Sequence, residues 1–225
     1  MKEGKKYHEA KKLVSSTQQY SVAEAVALVK KMSYSKFDGT IELGIKTFAN
    51  PKYNDQMIRA TVVLPNGTGK TQKVAVFVTD DKVDEAKKAG ADVVGYNDLL
   101  ADIKAEKINF DVLITTPDLI REMASVAKVL GPKGLMPSPK AGTVTANITE
   151  AISEVKRGRL EFKLDKAGNI HGIVGKVSFD DKALEENVAA FLKAIESNKP
   201  TGVKAKLIKK VVLSATMSPG VQIAY

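Results

Sequence analysis

The chain has 225 residues, 44% hydrophobic and 27% charged, an ordinary globular mix that excludes a fibrous or wholly disordered polypeptide. Its 35 Lys and Arg outnumber 26 Asp and Glu, for a net charge of +9, and no apolar run exceeds five residues, so neither a membrane helix nor a secretory leader is expected. The absence of cysteine excludes disulfides, thiolate metal sites and cysteine nucleophiles. These features describe a cytoplasmic soluble protein.

After a lysine-rich start, Ser21 and Glu24 have the spacing of a capping box. Val22, Ala25, Val26, Val29 and Met32 then fall on one helical face. Thr40–Lys46 alternates apolar and polar residues like a half-buried strand, and the turn Asn50–Asp55 leads to a second strand near Met57–Leu64. From Pro65 the pattern changes. Strands at Lys73–Thr79, Asp92–Val94 and Phe110–Thr115 alternate with helices at Asp81–Ala89 and Asn97–Lys107 and one opened by Thr116-Pro117, which implies βαβ units on a parallel sheet. A loop, Gly131–Thr145, and a helix near Thr149–Arg157 close this stretch. Antiparallel patterning then returns, with a hairpin of Leu160–Leu164 and Ile170–Val177 about the turn Asp165–Asn169. A helix at Asp181–Ser197 and strands near Lys206–Ala215 and Val221–Ala224 complete the chain.

The expected fold is mixed α/β and α+β in two domains. A discontinuous α+β domain comes from both chain ends, residues 1–66 and 159–225, and a three-layer α/β domain, residues 67–158, is inserted between them. Each terminal segment is too short to bury a core alone, and joining the two solves that problem. Charge follows the same division. Residues 1–65 carry a net +5, residues 66–159 a net +1 and residues 160–225 a net +3. Basic ends around a neutral centre point to one surface that meets a polyanion.

Most catalytic motifs fail on inspection. Asn66-Gly67-Thr68-Gly69-Lys70-Thr71 mimics the end of a phosphate-binding loop, but Leu64 stands where the first glycine is required, and the stretch runs into a strand. The α/β segment lacks a dinucleotide glycine fingerprint. His8 and His171 are the only histidines, so metal sites and a catalytic triad have little to build on, and neither a cofactor nor an enzyme activity is expected. The Gly131–Gly142 loop carries three glycines, three prolines and two lysines, fitting either a contact loop or a connection tied down by its own turns.

Two short segments remain. Lys36-Phe37-Asp38-Gly39-Thr40 and Thr216-Met217-Ser218-Pro219-Gly220 each join polar groups to one large apolar side chain, with Lys46, Lys163, Lys166, Lys209 and Lys210 as nearby cations. Hydroxyls and backbone can bond 2′-hydroxyls and phosphates, while an aromatic or methionine lies against a sugar or base. Packing of Phe37 and Met217 in the core is the competing reading.

The ordered series KFDGTIELGIK, LPNGTGKT, GPKGLMPSPKAGTVT, GNIHGIVGK and LSATMSPG closely resembles the large-subunit ribosomal protein L-one family, the protein of the mobile stalk beside the tRNA exit site. That resemblance implies an RNA-binding domain split between the chain ends and an inserted Rossmann-like domain. It implies three RNA partners: large-subunit ribosomal RNA, departing exit-site tRNA, and the messenger of the protein's own operon, which the family represses. It also implies residence in the large ribosomal subunit, and no membrane. The free protein is expected to be a monomer. On this reading the RNA-binding residues are Lys36, Phe37, Thr40, Lys46, Lys163, Lys166, His171, Thr216, Met217, Ser218 and Gly220. Ser218 stands where the family usually has glycine, and Gly39 where an acidic residue is common. Two alternatives compete with it: an α/β small-molecule-binding protein or enzyme with its ligand at the carboxyl ends of the middle strands, and a duplex-DNA-binding protein.

Overall fold

The computed structural model describes residues 4–15, 18–203 and 206–225, so the first three residues of the lysine-rich start lie outside it. Helix α1 (Lys5–Lys11) takes up part of that start and buries Ala10. Helix α2 (Val22–Met32) begins as the sequence requires, with the Ser21 hydroxyl accepting the Glu24 amide while the Glu24 carboxylate accepts the Ser21 amide. Then come β1 (Thr40–Thr47), β2 (Arg59–Val63), β3 (Val74–Phe77), α3 (Val83–Lys88), β4 (Val93–Gly95), α4 (Asn97–Lys104) and β5 (Val112–Thr115). Short helices α5 (Ile120–Met123) and α6 (Ala127–Lys133) lead to α7 (Ile148–Lys156). The chain ends with β6 (Arg159–Lys163), β7 (Asn169–Lys176), α8 (Asp181–Ser197), β8 (Ile208–Ala215) and β9 (Val221–Ile223).

The contacts divide the chain into two compact units, residues 1–69 with 160–225, and residues 70–159. In the first, the described strands form a four-stranded antiparallel sheet in the order β7-β1-β8-β9 and a two-stranded sheet of β2 and β6. Ile41, Leu43 and Ile45 of β1, with Val211 and Leu213 of β8, face a core shared with Val26 and Val29 of α2 and Leu184, Val188 and Phe191 of α8. Each of these side chains is almost fully buried, the condition under which burial stabilises by about 1.5–3 kcal/mol per residue. The Lys30 ammonium binds the Asp181 carboxylate at 2.5 Å, tying α2 to the start of α8. On the opposite face of the sheet lie the alternate residues Glu42, Gly44 and Lys46 of β1.

In the second unit, β4, β3 and β5 form a parallel sheet in the order β4-β3-β5. Strand alternation sends Ala75, Phe77 and Leu113 to one face, against Leu99 and Ile103 of α4 and Met123 and Leu130. Val74, Val76 and Ile114 go to the other, against Ala86 of α3 and Ile148, Ile152 and Val155 of α7. Helices on both faces explain why these strands read as continuous apolar runs.

Two local expectations are corrected. Leu160–Leu164 and Ile170–Val177 do not make an extended hairpin. After one bridge, Leu164 to Ile170, β6 leaves to join β2, and β7 joins β1. Phe162 of β6 packs on Phe191 of α8, ring centroids 5.3 Å apart, and so stays over the shared core. Finally, the loop beginning at Gly131 begins inside α6, which runs through Pro132 to Lys133 and stops at Gly134 in the left-handed conformation. Pro132 has no amide hydrogen to give to this last turn, and the helix ends two residues later.

The Asn66–Gly69 segment is a turn held against the sheet and α8. Gly67 and Gly69 take φ of 68° and 72°, and a side chain at Gly69 would strike Phe179 and Lys176. The fully buried Asn187 donates to the carbonyls of Gly67 (3.0 Å) and Val174 (2.8 Å) and accepts from the Asn66 amide (3.1 Å). Replacing it with leucine leaves three backbone groups unpaired. Asn187→Leu is expected to lower stability by about 2–4 kcal/mol in urea unfolding. A loss under about 0.5 kcal/mol, the range of an ordinary surface change, would show that these bonds do not hold the turn.

Candidate nucleic-acid interface

All the residues expected at an RNA site lie in the first unit, two of them, Thr40 and Lys46, on β1 itself. At its beginning, Thr40 and Thr216 are locked together. The Thr216 amide donates to the Thr40 carbonyl at 2.9 Å, and the Thr40 amide donates to the Thr216 hydroxyl at 3.0 Å. That hydroxyl in turn donates to the Thr40 carbonyl at 3.2 Å. Thr216 therefore positions the site by joining its two segments. Lys176, opposite Thr40 on β7, donates to the Thr40 hydroxyl at 2.8 Å.

Met217 sits at the tip of the turn from Ala215 to Ser218, which the Ser218 amide closes on the Ala215 carbonyl at 2.9 Å. Its φ is +68°, at the third turn position, where type II turns favour glycine. The Tyr34 hydroxyl donates to the Met217 carbonyl at 2.5 Å and braces the strained residue. Met217 and Phe37 are 61% and 57% exposed, so neither is a core residue. Lys36 beside Phe37 is also exposed. Both are large apolar side chains held at the surface, and Met217 stands on left-handed backbone.

Ser218 is accommodated without strain. Among the described non-glycine residues only Glu106 and Met217 have positive φ, and the Ser218 hydroxyl folds back, accepting from the Ala215 amide at 2.9 Å. Gly220 has a steric purpose, because a β-carbon there would lie 2.6 Å from Val212. Gly39 is buried, with Asp38 beside it accepting from the amide and hydroxyl of Ser178.

The far end of β1 holds a second group. Glu42, Gly44 and Lys46 point to the open face, opposite Ser214, Val212 and Lys210 of β8 on one side and Ile173, His171 and Asn169 of β7 on the other. His171 is 66% exposed, with Nε2 3.8 Å from the Asp165 carboxylate. Lys166 lies on the adjoining β6–β7 loop, and Lys209 on β8 stands over the Phe48 ring, 5.5 Å from its centroid. Thr40 and Lys46, six residues apart on one strand, are about 20 Å apart, so the two groups occupy opposite ends of one face. Lys163 is the exception. It lies on β6, in the other sheet of the unit.

The Asn169 amide, followed by the Asn169 side chain and the Ala167 amide, holds the Asp165 carboxyl below the ordinary 3.8. These bonds fix the loop that presents Lys166. Tyr34, Lys176 and Phe48 are members of this surface that sequence reasoning missed. Tyr34 follows the last turn of α2 and carries no periodic signal, and Lys176 and Phe48 acquire their places only through strand register.

At the carboxyl ends of the middle strands, Tyr96 stacks on Phe77 at 5.2 Å and donates to Glu122, and the Thr115 hydroxyl donates to the Phe77 carbonyl at 3.1 Å. Among the described residues no cluster of three metal-ligating side chains occurs, and no helix is long and apolar enough to cross a membrane.

The model of the ribosomal protein L1p/L10e family matches residues 29–219. The chain belongs to this family. It is 50% identical over 223 residues to the large ribosomal subunit protein uL1 of Thermosipho africanus, covering 99% of this chain and 96% of that protein. The protein of the same name from Kosmotoga olearia is 49% identical over 222 residues (99% and 96%), and that from Chlorobium chlorochromatii 46% over 220 residues (98% and 96%). The family expected from the motifs is thus shown, and the chain is a ribosomal protein, not an enzyme.

Two predictions test the local geometry. Left-handed backbone costs a non-glycine residue about 1–2 kcal/mol, and glycine's greater chain entropy costs about 0.5–1 kcal/mol. Met217→Gly should therefore leave thermal stability unchanged or raise it by up to about 1.5 kcal/mol; a clear loss would show that Met217 is packed rather than strained. Because the folded Asp165 pKa is lowered, its contribution is complete above about pH 5 and is withdrawn as pH falls through that lowered value. The protection of the Asn169 amide, its exchange rate compared with the unstructured rate at the same pH, should fall in this acid range in the native chain, and Asp165→Asn should abolish that pH dependence of protection.

Proposed function

We propose that the open face of the first unit binds large-subunit ribosomal RNA, with Lys36, Phe37, Thr40, Thr216, Met217, Ser218 and Gly220 forming one contact region and Lys46, Lys166 and His171 the other. Lys163 contributes long-range attraction from the neighbouring sheet. The residues of the first unit act as a discontinuous RNA-binding domain, and the near-neutral α/β segment is a Rossmann-like insertion. In the large subunit the protein holds the mobile stalk, assists release of deacylated tRNA from the exit site, and represses translation of its own messenger through an RNA resembling the ribosomal site.

The observation that carries this reading is the joint exposure of Phe37 and Met217 beside lysines, on a scaffold whose hydrogen bonds are already made. Recognition needs little reorganisation from such a surface. Lysines supply attraction that does not depend on sequence, and the apolar side chains lie against sugars or bases where the RNA is irregular. Family membership supplies the class of partner.

Filter binding of the full chain to a large-subunit ribosomal RNA transcript tests it. Log affinity should fall against log salt with a slope of about 0.7–0.9 per phosphate contacted, and Lys36→Ala should reduce that slope by about one contact. Phe37→Ala should weaken binding by about 1–3 kcal/mol with little change in slope, as expected for a stacking group. Affinity indifferent to salt, or unaffected by both substitutions, would refute the assignment.

A further inference from the structure

We propose that the far end of the open face is a site for one unpaired RNA nucleotide, its phosphate between Lys46 and Lys210 and its base on the ring of Phe48. This rests on the RNA-binding reading above and specifies the kind of RNA feature that the face accepts.

The first observation is electrostatic. Lys46 and Lys210 are direct cross-strand partners on β1 and β8. Like charges directly opposed destabilise a sheet, and among the described residues neither lysine has a carboxylate partner. A bound anion converts this repulsion into two charge-assisted hydrogen bonds.

The second observation is shape. A depression of about 360 Å³ lies beside the pair, bounded by Lys46, Lys210, Asn169 and His171, with Gly44 at its floor. That volume lies within the range of small-molecule sites. Glycine at the floor lets a ribose approach the sheet, and Asn169 and His171 are hydrogen-bonding partners at its edge. Glu42 lines the other end, where its carboxylate disfavours a second phosphate.

The third is Phe48. The burial alternation of β1 continues past its end, with Thr47 buried and Phe48 55% exposed. Phe48 therefore follows Lys46 on the open side, two residues or about 7 Å further on. This spacing matches the reach from a phosphate, across its ribose, to its own base. The Lys209 ammonium over the ring holds it and adds positive charge beside it. A base inside a duplex is already stacked on both faces, so only an unpaired base can lie on this ring.

The test titrates isotope-labelled full chain with the tetranucleotide rAAAA and, separately, with inorganic phosphate, following backbone amides by NMR. The rAAAA titration should shift Gly44, Lys46 and Asn169 saturably. Phe48→Ala should weaken it about ten- to a hundredfold, in line with the loss of one base–aromatic stack, and Phe48→Trp should restore it. Phe48 is exposed and its amide bond to the Leu207 carbonyl does not involve the side chain, so an unchanged amide spectrum elsewhere will certify the fold. Unchanged rAAAA affinity in Phe48→Ala overturns the proposal. So does inorganic phosphate alone reproducing the same shifts at the same midpoint, or shifts confined to Thr216–Ser218. The ribosomal RNA transcript separates the two claims. Failure of the native chain to bind it overturns the RNA-binding reading, whereas tight transcript binding with an rAAAA titration indifferent to Phe48 overturns only the nucleotide site.

Discussion

The pairing of β1 with β7 on one side and β8 on the other is the constraint on which the first unit depends. Both partners lie more than 120 residues further along the chain, yet β1 has no other neighbours in its sheet. Antiparallel register then dictates where the surface groups go. Because the start of β1 must lie beside the end of β8, Lys36-Phe37 and Thr216-Met217 meet at one end of the sheet, and the Thr40–Thr216 bonds follow from Ile41 facing Ala215. A slip of one residue would turn Ile41, Leu43 and Ile45 out of the core and bury Glu42 and Lys46. The apolar core thus fixes the position of polar groups on the opposite face.

Such distant pairing is thermodynamically affordable. The entropy of closing a loop grows with the logarithm of its length, each doubling adding about 0.6 kcal/mol, so interposing a separately cored segment between β2 and β6 adds little. The consequences for composition are visible. The α/β segment satisfies its own strands on both faces and has almost no net charge. The four-stranded sheet of the first unit packs one face on α2 and α8, and its other face is where the alternate residues Glu42, Gly44 and Lys46, with Lys210 and His171, are placed.

Legibility in the sequence followed locality. The capping box at Ser21, the helix Asp181–Ser197 and the parallel strands of the middle segment are written in short-range periodicity, and they occur where that periodicity places them. The separation of β6 from β7 was hidden, because it depends on pairings with distant segments, β6 with β2 and β7 with β1. The candidate site divides in the same way. Phe37 and Met217 stand out as large apolar residues among polar neighbours, whereas Tyr34, Lys176 and Phe48 join the surface through contacts that span up to 183 residues. Thr216 was identified as a site residue, but its hydroxyl turns inward to Thr40, a distinction that no sequence pattern carries.

The strain at Met217 connects this geometry to recognition. A flexible tip would pay for ordering its side chains when RNA arrives, at roughly 0.5–1.5 kcal/mol for each rotamer-rich group. Here the ordering is done during folding: the turn is closed by Ser218, the carbonyl is held by Tyr34, and the base of the turn is bonded to Thr40. The left-handed backbone lowers the stability of the free protein slightly but fixes the methionine outside the core. Ser218 fits the same logic. Its hydroxyl replaces water at the Ala215 amide, so a residue with a side chain stiffens the turn without needing glycine's conformational range. If the proposed assignment holds, a surface prepared in this way selects RNA by shape, because it cannot adapt to a partner that fails to present its sugars and phosphates at the spacing set by the sheet.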